Sequence, residues 1–229
     1  MTARSTTSSR NAITLTLTLN LNLNLNLTLL EVCHLVGNEP DGRFFSTKNG
    51  YTMGTDEGLE MLNRSLAKLD REAVKAKLRV GVHCDVQVTS HTWGRKPVED
   101  PAHVVTQVFC SACSVQYSRN SPGLWDGFAS LVLEASYEAT LWASLLHALR
   151  HKHDPRARVV FLTAVGGGVF GNPLAWIETA IDMACERVAP ACAAAGITLE
   201  LKLVTYAAPV PMELNRVVRK YSAGQEVGE

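Results

Sequence analysis

A glycine-rich segment over 166–171 contains the residues best suited to binding a ligand. Its glycines permit backbone angles that side chains forbid and let a ligand approach the main chain; they are Gly166, Gly167, Gly168 and Gly171. Asn172 is a favoured N-cap residue, and Pro173 suits the first position of a helix. Free N–H groups at such a helix start favour an anion, above all phosphate. The alternative is a tight connection without a ligand, since short glycine motifs have many false positives.

The segments around these glycines predict the elements that position them. The apolar run 159–162 is typical of a parallel strand that is covered on both faces. After the glycines, the pattern predicts a helix over 173–195, ended by Gly196, and a strand over 197–206. Before them, it predicts a strand over 103–109, whose small-residue end could line a ligand cleft.

A long amphipathic helix is predicted over 126–151, and it carries several titratable residues. Glu134 and Glu138 lie four residues apart near its middle, and we interpret them as exposed surface glutamates. We interpret the histidines near its end as complements to the helix dipole; they are His147, His151 and His153.

The first half of the chain gives fewer chemical signals. Its C-terminal part predicts a helix from Thr55 or Asp56 to about Lys77, then an alternating strand over 79–89. His83 and Asp85 share one face of that strand. They could be a catalytic pair, but a polar strand face is the commoner explanation of such residues. By composition, 37–55 and 90–102 are loops. A short helix is predicted over 212–221.

From Arg79 onward the predicted order is β, β, α, β, α, β, α, which favours an α/β fold with layers of helices around a mixed, largely parallel central sheet. We expect one domain over 27–221, with a first strand within 27–36 and a tail over 222–229. We expect residues 1–26 to be a low-complexity, disordered or transit-like tail, in which leucine alternates with threonine or asparagine from Thr14 onward.

Composition narrows the classes of partner. Lys and Arg together number 22, as do Asp and Glu, so no basic field favours nucleic acid. No apolar run approaches the roughly 20 residues that span a membrane. We expect the six cysteines to be reduced thiols in an intracellular, cytoplasmic protein. The N-terminal segment has no acidic residue, so import into an organelle is an alternative. Cys110 and Cys113 have the spacing of a redox motif or of half a zinc motif. No second pair follows and the pair does not open a clear helix, so we predict neither a metal site nor a cofactor.

The segment 103–209 resembles the C-terminal half of macro domains, which bind ADP-ribose, in its strand, helix, strand, glycine loop and helix order. The sequence Gly-Val-Phe-Gly-Asn-Pro of residues 168–173 is also similar to a loop of the poly(ADP-ribose) glycohydrolase branch. The resemblance implies a three-layer fold in which the glycine loop holds the diphosphate and distal ribose, with Phe170 beside that ribose. The loop 111–117 would line the cleft, and Asn38 or Asp41 would replace a contact that the family makes elsewhere. The implied ligand-binding residues are Asn38, Ser111, Ala112, Val115, Gly166, Gly167, Gly168, Val169, Phe170, Gly171 and Asn172.

These observations favour binding of ADP-ribose, or a related nucleotide diphosphate, free or on an ADP-ribosylated protein. One alternative is hydrolysis of an ADP-ribosyl linkage, for which no catalytic residue is assigned because the paired glutamates of the glycohydrolase signature are missing. A second is a Rossmann-like dinucleotide enzyme, since Gly166, Gly168 and Gly171 fit the Gly-x-Gly-x-x-Gly spacing. A third is an interaction protein that assembles through its leucine repeat.

Overall fold

A computed structural model describes residues 32–38, 42–91, 94–205 and 209–222, and they form a mixed α/β structure. Besides the helical residues 32–36, the helices are α1 (Asp56–Leu66), α2 (Arg71–Lys75), α3 (Pro122–Arg150), α4 (Leu174–Ala195) and α5 (Asn215–Ser222). The strands are β1 (Phe45–Lys48), β2 (Tyr51–Gly54), β3 (Gly81–Gln87), β4 (Ser90–His91), β5 (Lys96–Pro97), β6 (Val104–Phe109), β7 (Val159–Thr163) and β8 (Glu200–Val204). Short 3-10 helices cover Val115–Ser118, Pro155–Arg158 and Met212–Leu214. The predicted leucine repeat and Asp41 lie outside the described residues.

Helix α3 lies at the centre of the structure. Every residue from 131 to 137 is buried, so this part of the helix is covered on all sides and the prediction of an amphipathic helix is wrong here. Its N-terminal half packs in one hydrophobic cluster with α1, around Trp125 and Phe128, which are both fully buried. Its C-terminal half packs in a second cluster with α4, β7 and β8.

The described strands form four two-stranded sheets. Strands β7 and β8 are parallel, as predicted, with Val159 opposite Glu200. Strands β3 and β6 are antiparallel. The prediction that 159–162 is covered on both faces is wrong, because Phe161 is 66% exposed. The described residues therefore place a helix layer on one face of β7 and leave the other face open.

Two predictions for the first half of the chain are corrected. Residues 32–36 are helical where a strand was predicted. The helix predicted from 55 to 77 is two helices, because the Asp70 carboxylate accepts a hydrogen bond from the Glu72 N–H and starts α2 as a new helix. The predicted start is confirmed, since Thr55 caps α1 by accepting from the Gly58 N–H.

The C-terminal elements follow the predicted order. Gly196 ends α4 in the left-handed conformation, with φ of 65°, as the sequence predicts. Strand β8 is shorter than predicted, and α5 begins at Asn215 after a 3-10 turn. Among the described residues, no helix combines the length and the apolar character that a membrane span needs.

Candidate functional site

The glycine segment forms a compact loop between β7 and α4. The Asn172 N–H donates to the Gly166 carbonyl at 3.0 Å, and the Gly171 N–H donates to the Gly168 carbonyl at 2.9 Å. Gly166 and Gly171 have φ angles of 76° and 70°, which disfavour any side chain. A Cβ atom on Gly166 would lie 2.4 Å from the Cβ of Ala112. The loop therefore requires glycine here for its backbone angle and for its contact with the segment after β6.

Asn172 has a different role from the predicted helix cap. Pro173 is the N-cap residue of α4, and no side chain caps this helix. The buried Asn172 amide instead donates to the carbonyl of Cys113 at 2.8 Å and to that of Gly166 at 3.2 Å. Asn172 thus joins the glycine loop to the loop after β6, the two segments that the sequence predicts to line one cleft.

Tyr137 of α3 holds the chain where β7 enters the glycine loop. Its hydroxyl donates to the Thr163 carbonyl at 2.6 Å and accepts from the Val165 N–H at 3.0 Å. Burial raises the pKa of this phenol well above its usual value, so the hydroxyl keeps the proton that it donates. The first residues of the loop are therefore fixed to the central helix.

Three aromatic rings from distant parts of the sequence meet beside the loop. The ring of Tyr117 lies 4.8 Å from that of Tyr51, and both lie within 6 Å of Phe170, at 5.7 and 5.9 Å. Sequence analysis missed Tyr51, which begins β2 directly after the turn Asn49-Gly50. The φ angles of this turn are 52° and 84°, and an Asn-Gly pair is the usual sequence signal of such a hairpin turn. This signal shows why the predicted loop 37–55 contains the β1–β2 hairpin.

Hydrogen bonds attach this hairpin to the loop after β6. The Ser114 hydroxyl donates to the Thr52 carbonyl at 2.9 Å, and the Gly54 N–H donates to the Ser118 hydroxyl at 2.9 Å. In the same turn, the Gln116 N–H donates to the Phe170 carbonyl at 3.1 Å. The 3-10 turn Val115–Ser118 thus connects the hairpin to the glycine loop and brings the three rings together.

The predicted site residues differ in accessibility. Gly168 and Val169 are exposed at the tip of the loop, and Val169 is 73% exposed. Ala112 and Val115 are fully buried, and Ala112 lies against Gly166 of the loop, whereas Ser111 is half-buried. The Asn38 side-chain amide donates to the Phe45 carbonyl and accepts from the N–H groups of Phe44 and Phe45.

The exposed part of the loop offers backbone donors to a ligand. Within the part of the chain that the structure describes, the N–H groups of Gly168, Val169 and Phe170 donate no hydrogen bond to another residue. These three donors are consecutive, precede the N-terminus of α4, and lie beside the aromatic rings. Such a set can bind an anionic group that carries an attached planar or sugar moiety.

The two glutamates of α3 are partners of basic residues, which corrects their interpretation as exposed. Glu134 is buried and accepts from Arg71 through both carboxylate oxygens, at 2.7 and 3.0 Å. Glu138 accepts from Lys75 at 3.2 Å and lies 3.6 Å from Arg187. These ion pairs give both carboxylates a structural role between α2, α3 and α4.

The cysteine pair that sequence analysis considered has no feature of a reactive site. Cys113 is fully buried, and burial raises the pKa of its thiol to about 12. Burial also raises the pKa of Cys110. Both are free thiols, and a thiol that holds its proton is a weak nucleophile and metal ligand.

Comparisons with protein-family models, with curated proteins and with solved structures found no match to this chain. The geometry of the loop and its neighbours is therefore the basis for a functional proposal.

Proposed function

We propose that this protein binds ADP-ribose, or a related nucleotide diphosphate, at the loop 166–172. The observation that carries the proposal is the run of three unengaged N–H groups at Gly168, Val169 and Phe170, next to an aromatic cluster whose Tyr51 ring is exposed. A diphosphate accepts hydrogen bonds from consecutive N–H groups, and the dipole of α4 adds a favourable field.

The nucleoside part of the ligand would contact the aromatic cluster. Tyr51 is 38% exposed, and its ring is held against Tyr117 and Phe170. A planar base or a sugar stacks favourably on such rings. The resemblance to macro domains supplies the identity of the ligand, and with it the three-layer arrangement and an ADP-ribosylated protein as partner. The expected intracellular location rests on the six cysteines instead.

A titration of the full chain with ADP-ribose tests this proposal, with ADP, ATP and NAD as comparison ligands. The informative variant is Gly168→Glu. A Cβ on Gly168 meets no atom within 4 Å, so the side chain fits without disturbing the fold. A unit charge about 4 Å from a phosphate charge costs about 1 kcal/mol in water and about 4 kcal/mol near a protein surface. We therefore expect Gly168→Glu to weaken binding about fivefold or more.

Gly168→Gln is the matched control, because it adds the same bulk without the charge. We expect it to bind clearly more tightly than Gly168→Glu, in both cases with unchanged circular dichroism. Equal affinity of the wild type and a folded Gly168→Glu variant would show that the loop does not hold the diphosphate. Absence of binding to all four nucleotides would refute the proposal itself.

A further inference from the structure

A second group of ligand atoms lies at the C-terminal end of α3, on residues that the proposed nucleotide site does not use. Asp85, His147 and His151 each offer one ligand atom, and all three atoms lie within 4.8 Å of one another. Within this group, His151 Nε2 and Asp85 Oδ1 lie 3.3 Å apart. Sequence analysis assigned these histidines to the helix dipole and paired Asp85 with His83 instead.

The local structure explains why the three side chains converge. His147 and His151 are four residues apart, so they lie on one face at the end of α3, with ring centroids 4.5 Å apart. The pairing of β3 with β6 changes register between His83 and Val86, and Asp85 has a φ of 52°. Such a bulge redirects a side chain, and here it directs Asp85 toward the histidines.

Thr106 of β6 positions two of the three residues at once. Its hydroxyl oxygen accepts from the Asp85 N–H at 3.2 Å and lies 3.1 Å from His147 Nδ1. With Nδ1 engaged by Thr106, Nε2 is the nitrogen of His147 that remains available as a ligand. A hydrogen bond to the second ring nitrogen is the usual support for a metal-binding histidine.

We propose that Asp85, His147 and His151 form a binding site for a divalent transition metal ion, with Zn²⁺ as the best-fitting ion. Two imidazole nitrogens and one carboxylate oxygen are a ligand set that suits Zn²⁺ and does not suit Mg²⁺ or Ca²⁺. Ligands about 2.0 Å from a tetrahedral Zn²⁺ ion are about 3.3 Å apart. The distance between His151 and Asp85 already equals this value.

The site is accessible to solvent. The side chains of Asp85 and His151 are 45% and 38% exposed, so a metal ion can enter from solvent. Three protein ligands leave a fourth position for water or another small ligand. The rival interpretation is a simple ion pair of His151 with Asp85, in which His147 has no part in binding.

Zn²⁺ binding by the metal-free full chain, in competition with a chromophoric chelator, tests the proposal. We expect one tight site in the wild type. Removing an outer-shell partner of a metal ligand typically lowers affinity 10- to 100-fold, so we expect about that loss for Thr106→Val and a larger loss for His147→Ala. His153→Ala is the matched control, because His153 is an exposed histidine near the same helix end but outside the cluster.

The neighbouring thiol needs its own control, because Cys84 is exposed and thiolates bind zinc. Cys84→Ser should retain the site, and the Co²⁺ complex should show no thiolate-to-cobalt charge-transfer band. Retention of full affinity by a folded His147→Ala variant would favour the simple ion pair and overturn the proposal. Loss of the site in Cys84→Ser, or no stoichiometric Zn²⁺ uptake by the wild type, would also overturn it. Gly168→Glu should bind Zn²⁺ like the wild type, so the two proposals can fail separately.

Discussion

Replacing Gly166 and Gly168 with alanine, one at a time, tests whether the glycine loop is built as the structure describes. The two glycines are two positions apart, yet they differ in both properties that decide the outcome. Gly166 has a φ of 76°, whereas Gly168 has a φ outside the left-handed region. A Cβ on Gly166 would lie 2.4 Å from the Cβ of Ala112 and 2.6 Å from the side-chain Nδ2 of Asn172. A Cβ on Gly168 would meet nothing within 4 Å.

These differences set the expected magnitudes. A left-handed backbone costs a residue with a side chain roughly 1–2 kcal/mol. Overpacking against a buried neighbour costs about 1–3 kcal/mol more, and Ala112 is fully buried. The loss of unfolded-state freedom offsets about 0.4–1 kcal/mol. We therefore expect Gly166→Ala to lower the free energy of unfolding by about 1–4.5 kcal/mol. In Gly168→Ala, only the loss of unfolded-state freedom applies, so its free energy of unfolding should be unchanged or slightly higher.

Urea unfolding followed by circular dichroism measures both variants. The slope of the free energy of unfolding against urea concentration should stay unchanged, so the midpoint alone reports the difference. If Gly166→Ala lay within about 0.5 kcal/mol of the wild type, the contact of the loop with Ala112 and the strained backbone would both be refuted. If Gly168→Ala were as destabilised as Gly166→Ala, the loop tip would have to be packed, and a ligand could not reach its N–H groups.

Two further predictions concern the neighbours of this loop. Asn172→Ala removes a donor from the buried Cys113 carbonyl, so the free energy of unfolding should fall by about 1–3 kcal/mol in the same urea assay; an unchanged midpoint would contradict this hydrogen bond. In native protein treated with iodoacetamide at mildly alkaline pH, exposed Cys84 should be alkylated first, as measured by peptide mass spectrometry. Cys113 should react only after denaturation, because it is fully buried and its pKa is raised to about 12; equal native labelling of both thiols would contradict its burial.

The parts of the fold that sequence analysis predicted are those that short-range rules decide. The strand β7, the start of α1 at Thr55 and the end of α4 at Gly196 all depend on residues within one or two turns of each other. The turn at Asn49-Gly50 also has a local sequence signal. The interpretation of 37–55 as a loop did not use this signal, so the β1–β2 hairpin was not predicted.

Other errors came from contacts between residues far apart in the sequence. Asn172 is a good N-cap by residue type, but its amide bonds to Cys113, which lies 59 positions earlier. Glu134 was interpreted as a surface glutamate, because its partner Arg71 lies 63 positions away in the sequence. No periodicity in the sequence shows that β3 changes register at Asp85, so the closeness of Asp85 to His151 could not be predicted.

Helix α3 connects the two proposed sites and also separates them. Tyr137 fixes the start of the glycine loop, and His147 belongs to the metal cluster ten residues later, which is about 15 Å along the helix. The helix between them is packed against α4, so it acts as a rigid support for both. A substitution that disturbs this core should therefore weaken both binding activities together, whereas Gly168→Glu and His147→Ala should each affect one. This pattern distinguishes loss of a ligand contact from loss of the fold, because only loss of the fold can affect both sites.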